Sequence, residues 1–150
     1  MRSLRRLALL LFGAFAGFAG AAAIVRRAFP SRGEPESDEV ALVAIFDGVQ
    51  LTSRATAFRG GSMLAWFGGV AVDLREAQLA SDGRLTLHAV VGGIEVKLPP
   101  GCLVESQLTA VLGGVDVRVP EPEDADAPRL VVDGFAGFGG IAVTTSAPTA

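Results

Sequence analysis

The chain has 150 residues, 50% of them hydrophobic, enough for one folded domain and an accessory segment. Its net charge of −3 is small, and its 13 Lys and Arg form no basic stripe interleaved with aromatics, which excludes the electrostatic footprint of a nucleic-acid binder. The single cysteine, Cys102, excludes an internal disulfide and a thiol metal site, and leaves the redox compartment open.

At the amino terminus, Leu7 to Val25 carry no charge or strong polar group, and Arg5, Arg6, Arg26 and Arg27 flank them. At 1.5 Å per residue such a run spans a hydrocarbon core of ~30 Å, and the flanking arginines can snorkel to both interfaces. A secretory signal peptide with a cleavage site at Ala19-Gly20-Ala21 is the competing reading; the apolar run continues past that site to Val25, which favours a retained anchor. Gly13 and Gly17 have the spacing of a helix-dimerisation face, a match that this Gly- and Ala-rich composition produces by itself. Arginines before and after the span nearly balance, so the positive-inside rule leaves the side of the soluble domain undetermined. The expected division is a basic flank at 1–6, a transmembrane helix at 7–25, a charged flexible linker at 26–39, a repeat domain at 40–145 and a tail at 146–150.

The domain is organised by a recurring motif. It reads Phe46-Asp47-Gly48-Val49, Phe67-Gly68-Gly69-Val70, Val91-Gly92-Gly93-Ile94, Leu112-Gly113-Gly114-Val115 and Phe138-Gly139-Gly140-Ile141, with spacings of 21, 24, 21 and 26 residues between second glycines. Repeats of that period built from strand residues imply stacked units, here a right-handed parallel β-solenoid of about five short coils in which each coil lies on the one before. Four residues before the second glycine, every copy has alanine: Ala44, Ala65, Ala89, Ala110 and Ala136. This column predicts a tight place in the core. One and three residues after the glycine stand β-branched or leucine residues (Val49, Leu51, Val70, Val72, Ile94, Val96, Val115, Val117, Ile141, Val143), the mark of a half-buried strand.

Large apolar residues two before the glycine and one after it are out of phase, so the chain must turn between them. Gly48, Gly68, Gly69, Gly92, Gly93, Gly113, Gly114, Gly139 and Gly140 are the expected corner, because glycine adopts positive φ at little steric cost. Surface loops are expected at Arg75–Arg84 and Glu121–Pro128, and Pro99-Pro100-Gly101 should close the third copy's strand.

Polar columns (Gln50, Glu95, Asp116; Thr52, Asp73, Lys97, Arg118, Thr144) read as a solvated face with diagonal pairs of the Glu95–Arg118 type. The opposite outward columns are apolar, and Ile45, Leu64, Trp66, Val90, Val111 and Phe135 form the candidate interaction surface, with Trp66 as its anchor. Another subunit, a membrane surface, the N-terminal helix or a covering loop would each suit that face. The lone histidine, His88, has no neighbours at ligand spacing, no Gly-x-Ser-x-Gly elbow is present, and the acidic loop at Glu121–Asp126 lacks the spacing of a calcium site. Cys102 reads as an inert small hydrophobe, and no cofactor is expected.

The ordered series Phe67-Gly-Gly-Val-Ala-Val-Asp-Leu-Arg75, Gly83-Arg-Leu-Thr-Leu-His-Ala-Val-Val-Gly-Gly-Ile-Glu-Val-Lys-Leu-Pro99 and Pro128-Arg-Leu-Val-Val-Asp-Gly-Phe-Ala-Gly-Phe-Gly-Gly140 resembles the C-terminal domain of LiaF-like proteins, over roughly 40–145. The resemblance implies a non-catalytic β-solenoid of the envelope-stress response to wall-active antibiotics, acting by contact with a membrane signalling protein or itself. Family members carry several spans before the domain and this chain has one, so the fold transfers more directly than the regulatory role. The resulting expectation is a single-pass cell-membrane protein, not an enzyme, contacting a protein partner and, through its helix, membrane lipid. The alternative is a polymerising β-solenoid scaffold of the bactofilin type.

Overall fold

The computed structural model describes Ile24, Arg27 and residues 31–145. The expected transmembrane helix at 7–25 thus lies, apart from Ile24, outside the described residues, as does the tail at 146–150. Among the described residues, no helix is long and apolar enough to cross a membrane. The chain divides into two units, Met1–Pro30 and Ser31–Ala150, and the second holds the folded domain.

That domain is mostly β. Its strands are β1 (Glu39–Ile45), β2 (Gly48–Thr52), β3 (Phe58–Asp73), β4 (Leu79–Leu98), β5 (Leu103–Ala110), β6 (Gly114–Arg118) and β7 (Arg129–Thr145). They join in one sheet ordered β1-β3-β4-β7-β5, with β2 also on β3 and β6 also on β7, and every strand pair is parallel. Each sequence copy is therefore one row: β1 with β2, then β3, β4, β7, and β5 with β6. The register is the one the motif dictates. Gly48 pairs with Gly69, Gly69 with Gly93, Gly93 with Gly140 and Gly140 with Gly114, and the alanines align likewise.

The order of rows corrects the expectation that each copy stacks on its predecessor. The fifth copy, β7, lies between the third and fourth, so the chain skips a row after β4 and then steps back. Residues 119–128 make that return, and they form the expected irregular connection. By contrast, Leu79–Arg84 belongs to β4 rather than to a loop. Its residues pair with Phe58–Gly60 of β3 and, from Asp82 on, with β7, so the neighbours on both sides recruit it into the sheet.

Alternation places the core. Leu85, Leu87, Ala89, Ile94, Val96 and Leu98 of β4 are buried, as are Phe58, Met63, Val70 and Val72 of β3 and Leu130, Val132, Ala136, Ile141 and Val143 of β7, and Leu74 and Cys102 join the cluster from the connections. Ala44, Ala65, Ala89 and Ala136 are fully buried, which fits the tight column. Ala110 is exposed, contrary to expectation, because its row is the last of the sheet.

The segment expected as a flexible linker is, from Ser31 on, hydrogen-bonded to the first two rows. Arg32 exchanges both backbone hydrogen bonds with Ala41, Val43 N–H donates to Ser31 Oγ at 2.9 Å, and Arg59 N–H donates to Asp38 O. Ser53, itself buried, donates through Oγ to Pro35 O at 3.2 Å.

Two outcomes test this packing by chemical denaturation of the full chain. Ala89→Leu overpacks the sealed column and lowers stability by about 1–3 kcal/mol, whereas Ala110→Leu, at the open row, changes it by no more than about 0.5 kcal/mol. Gly92→Ala brings a methyl to 1.9 Å from Gly68 O at a φ of 143° and costs about 2–4 kcal/mol, while Gly93→Ala, whose nearest backbone atom is 3.8 Å away, is close to neutral.

Candidate interaction surface

The two glycines of each pair do different things. A Cβ on the first would strike the carbonyl of the row before it in the sheet: 2.2 Å from Asp47 O at Gly68, 1.9 Å from Gly68 O at Gly92, 1.8 Å from Gly92 O at Gly139 and 1.9 Å from Gly139 O at Gly113. The second glycines, Gly48, Gly69, Gly93, Gly114 and Gly140, have nothing closer than 3.6 Å. The first glycine thus permits the rows to approach. This explains Asp47, which occupies the same position in the first row, beyond which no further strand lies among the described residues. Its Oδ1 accepts the Gly48 N–H at 2.8 Å.

The expected positive-φ corner is found in part. Gly92 and Gly139 have positive φ, but in the first two rows the left-handed residue is the phenylalanine before the pair, Phe46 at 54° and Phe67 at 58°. Bulky residues rarely adopt that region. The register slips between β3 and β4 fall at the same place, around Trp66. The phase therefore reverses one step earlier than the sequence pattern suggests, and the large apolar residue two before the glycine turns outward.

That reversal relocates the surface. Ile45 is only 3% exposed and leaves the candidate set. Leu64, Trp66 and Val90 are half-buried, and Val111 and Phe135 are exposed. The residues that sequence reasoning assigned to the interior, Phe46, Phe67, Leu112 and Phe138, are exposed by 50%, 40%, 65% and 60%. Phe46 and Phe67 stack with centroids 5.3 Å apart, and His88 meets Phe135 edge-on at 5.0 Å. Across the rows this makes an apolar ridge through Phe46, Phe67, Val91, Phe138 and Leu112. In the first two rows a positive φ at Phe46 and Phe67 turns it outward, and no residue type announces a left-handed phenylalanine.

Beside the ridge, the second glycines leave open depressions of about 290 Å³ over Gly48, Gly69 and Gly93 and about 470 Å³ over Gly93, Gly140 and Gly114. A third, of about 230 Å³, lies over Gln50, Thr52, Asp73, Glu95 and Lys97. All are shallow and open. The polar columns flank them, but the diagonal Glu95–Arg118 pair does not form, because β7 separates the two rows. Within these columns the ion pairs join residues two apart in sequence: Glu95–Lys97 at 3.6 Å, Asp116–Arg118 at 2.9 Å, and Asp73 with Arg75.

Hydrogen bonds from the Arg75 guanidinium hold the Asp73 carboxyl below its ordinary pKa. Burial raises that of the Cys102 thiol, whose Sγ lies 3.3 Å from Pro99 O, consistent with an inert residue. Among the described residues, no three His, Cys, Asp or Glu side chains are placed to hold a metal ion. No family model, curated protein or solved structure matches this chain.

The Asp73 shift has a signed consequence. A carboxyl whose folded pKa is depressed stabilises the fold above the unfolded value and ceases to do so as pH falls through the folded one. Asp73→Asn should therefore lower stability by less than about 1 kcal/mol at neutral pH, given how exposed the pair is. Thermal unfolding followed by circular dichroism should show that gap closing below about pH 4.

Proposed function

We propose that this chain is a membrane-anchored, non-enzymatic protein-interaction module of the LiaF-like kind, its rows being the coils of a β-solenoid. On this reading the right-handed preference of parallel crossovers applies to the advance from the first row to the fourth, and the last coil is tucked back between the third and fourth. The apolar stretch Leu7–Val25 supplies a single-pass anchor in the cell membrane and the contact with lipid. A protein of envelope-stress signalling is the class of partner that the motif resemblance suggests.

The observation that carries the reading is the apolar ridge. Phe138, Leu112, Val111 and Phe135 stand exposed on adjacent rows, where soluble surfaces rarely gather large apolar groups. Phe67 adds a further argument, since a bulky residue stands at φ 58° where glycine would be unstrained. The surroundings suit an interface better than chemistry, because the depressions are open and flanked by ion pairs. The polymerising-scaffold alternative is weakened by the bonds of Ser31 and Arg32 to β1, which occupy the edge that an end-to-end stack must use.

The test is photo-crosslinking of the full chain in its own membranes, with a photoreactive phenylalanine at position 138 or, as control, at Glu121 in the polar connection. The expected result is an adduct with a different protein from position 138, lost when Leu112→Ser and Phe135→Ser are added. Equal yields from both positions, or adducts with lipid alone, would sink the reading.

A further inference from the structure

The two ends of the sheet are unequal. At one end, the Arg32 backbone and the Ser31 hydroxyl close β1. At the other, β6 pairs only with β7, and no described segment lies on its outer side. The residues five past the second glycine show which groups face outward. Ser53 N–H donates to Asp73 O at 2.8 Å and Leu74 N–H to Lys97 O at 2.7 Å, each toward the next row. Val119 is the same position in the fourth copy, and among the described residues no row follows it. Backbone direction alternates along a strand, so Val119, Val117 and Val115 present their N–H and C=O groups to the open edge. Their side chains, on the core face, are half-buried.

We propose that this edge pairs with the same edge of a second copy, β6 antiparallel to β6 about a two-fold axis through Val117. The side chains select that register. Residues directly opposite in an antiparallel pair lie on the same face, so the valines must oppose valines and the polar residues must oppose polar residues. Three registers satisfy this near the strand centre. One sets Asp116 against Asp116, another sets Arg118 against Arg118, and both place like charges opposite each other. The third centres on Val117 and sets Asp116 of each copy against Arg118 of the other, twice by symmetry. In that register the outward-facing groups of Val115, Val117 and Val119 meet their counterparts, and the half-buried valines cover one another.

Charges commonly blunt sheet edges, and residues of one sign would repel a second copy in every register. Opposite signs two residues apart forbid two registers and favour one. A head-to-tail fibre is disfavoured because β5 of one copy would have to seat on β1 of the next, where Arg32 already lies. The association therefore closes at two.

The experiment is sedimentation equilibrium of the full chain in density-matched detergent micelles. The wild type is expected to be dimeric, and Asp116→Arg or Arg118→Asp alone should weaken the dimer at least tenfold. Mixing the two variants in equal amounts should restore it, since each Arg then faces an Asp. A monomeric wild type, an open series of larger species, single variants that dimerise as the wild type does, or a mixture that stays monomeric would each overturn the proposal.

Discussion

The structure depends on one steric constraint: at the first glycine of each pair, the backbone of one row lies against the carbonyl of the next with no room for a methyl group. Gly68, Gly92, Gly139 and Gly113 all sit in this contact, within 2.2 Å of a neighbouring oxygen once a Cβ is built. Parallel rows can hold their register along a column of such contacts because each admits only glycine. Asp47 shows the rule by its exception, since among the described residues no strand lies beyond the first row for it to strike.

The rest of the surface follows from how the chain passes that contact. The chain turns at the same place, and in the first two rows it does so at a phenylalanine in a left-handed conformation. The core alternation then resumes one phase later, with Val70, Ile94 and Ile141 buried. What would have been a core column becomes an exposed ridge, and the missing side chains of the second glycines become the trough beside it. Ridge, trough and ion-paired columns are thus three consequences of a single corner.

The ends of the sheet are set by a different cause. The fifth copy enters between the third and fourth, so the β5 and β6 row is left outermost with Ala110, Val111 and Leu112 uncovered. The first row is closed by the chain's own approach through Ser31 and Arg32. One terminus of the domain is sealed locally and the other is presented to whatever can pair with it. Asymmetry of this kind distinguishes a unit that closes in a small assembly from one that extends without limit.

Much of this was legible in the residues. The repeat, its register, the alanine column and the buried β-branched positions were all readable, because they are periodic and each copy repeats the evidence. Row order was not, since Gly93, Gly114 and Gly140 carry equivalent motifs and any two of them pair equally well in local terms. Nor was the outward turn of Phe46, Phe67, Leu112 and Phe138, because hydrophobic identity favours burial and only the backbone at the corner decides otherwise. Ile45, too, was misplaced, since it is buried in the first row. The sequence by itself determined which residues align across the sheet, because alignment rests on side-chain size repeated in every copy. Only the tertiary structure decided which rows are neighbours and which face each aromatic meets, because those depend on where the chain returns and on a φ sign that no residue type reveals.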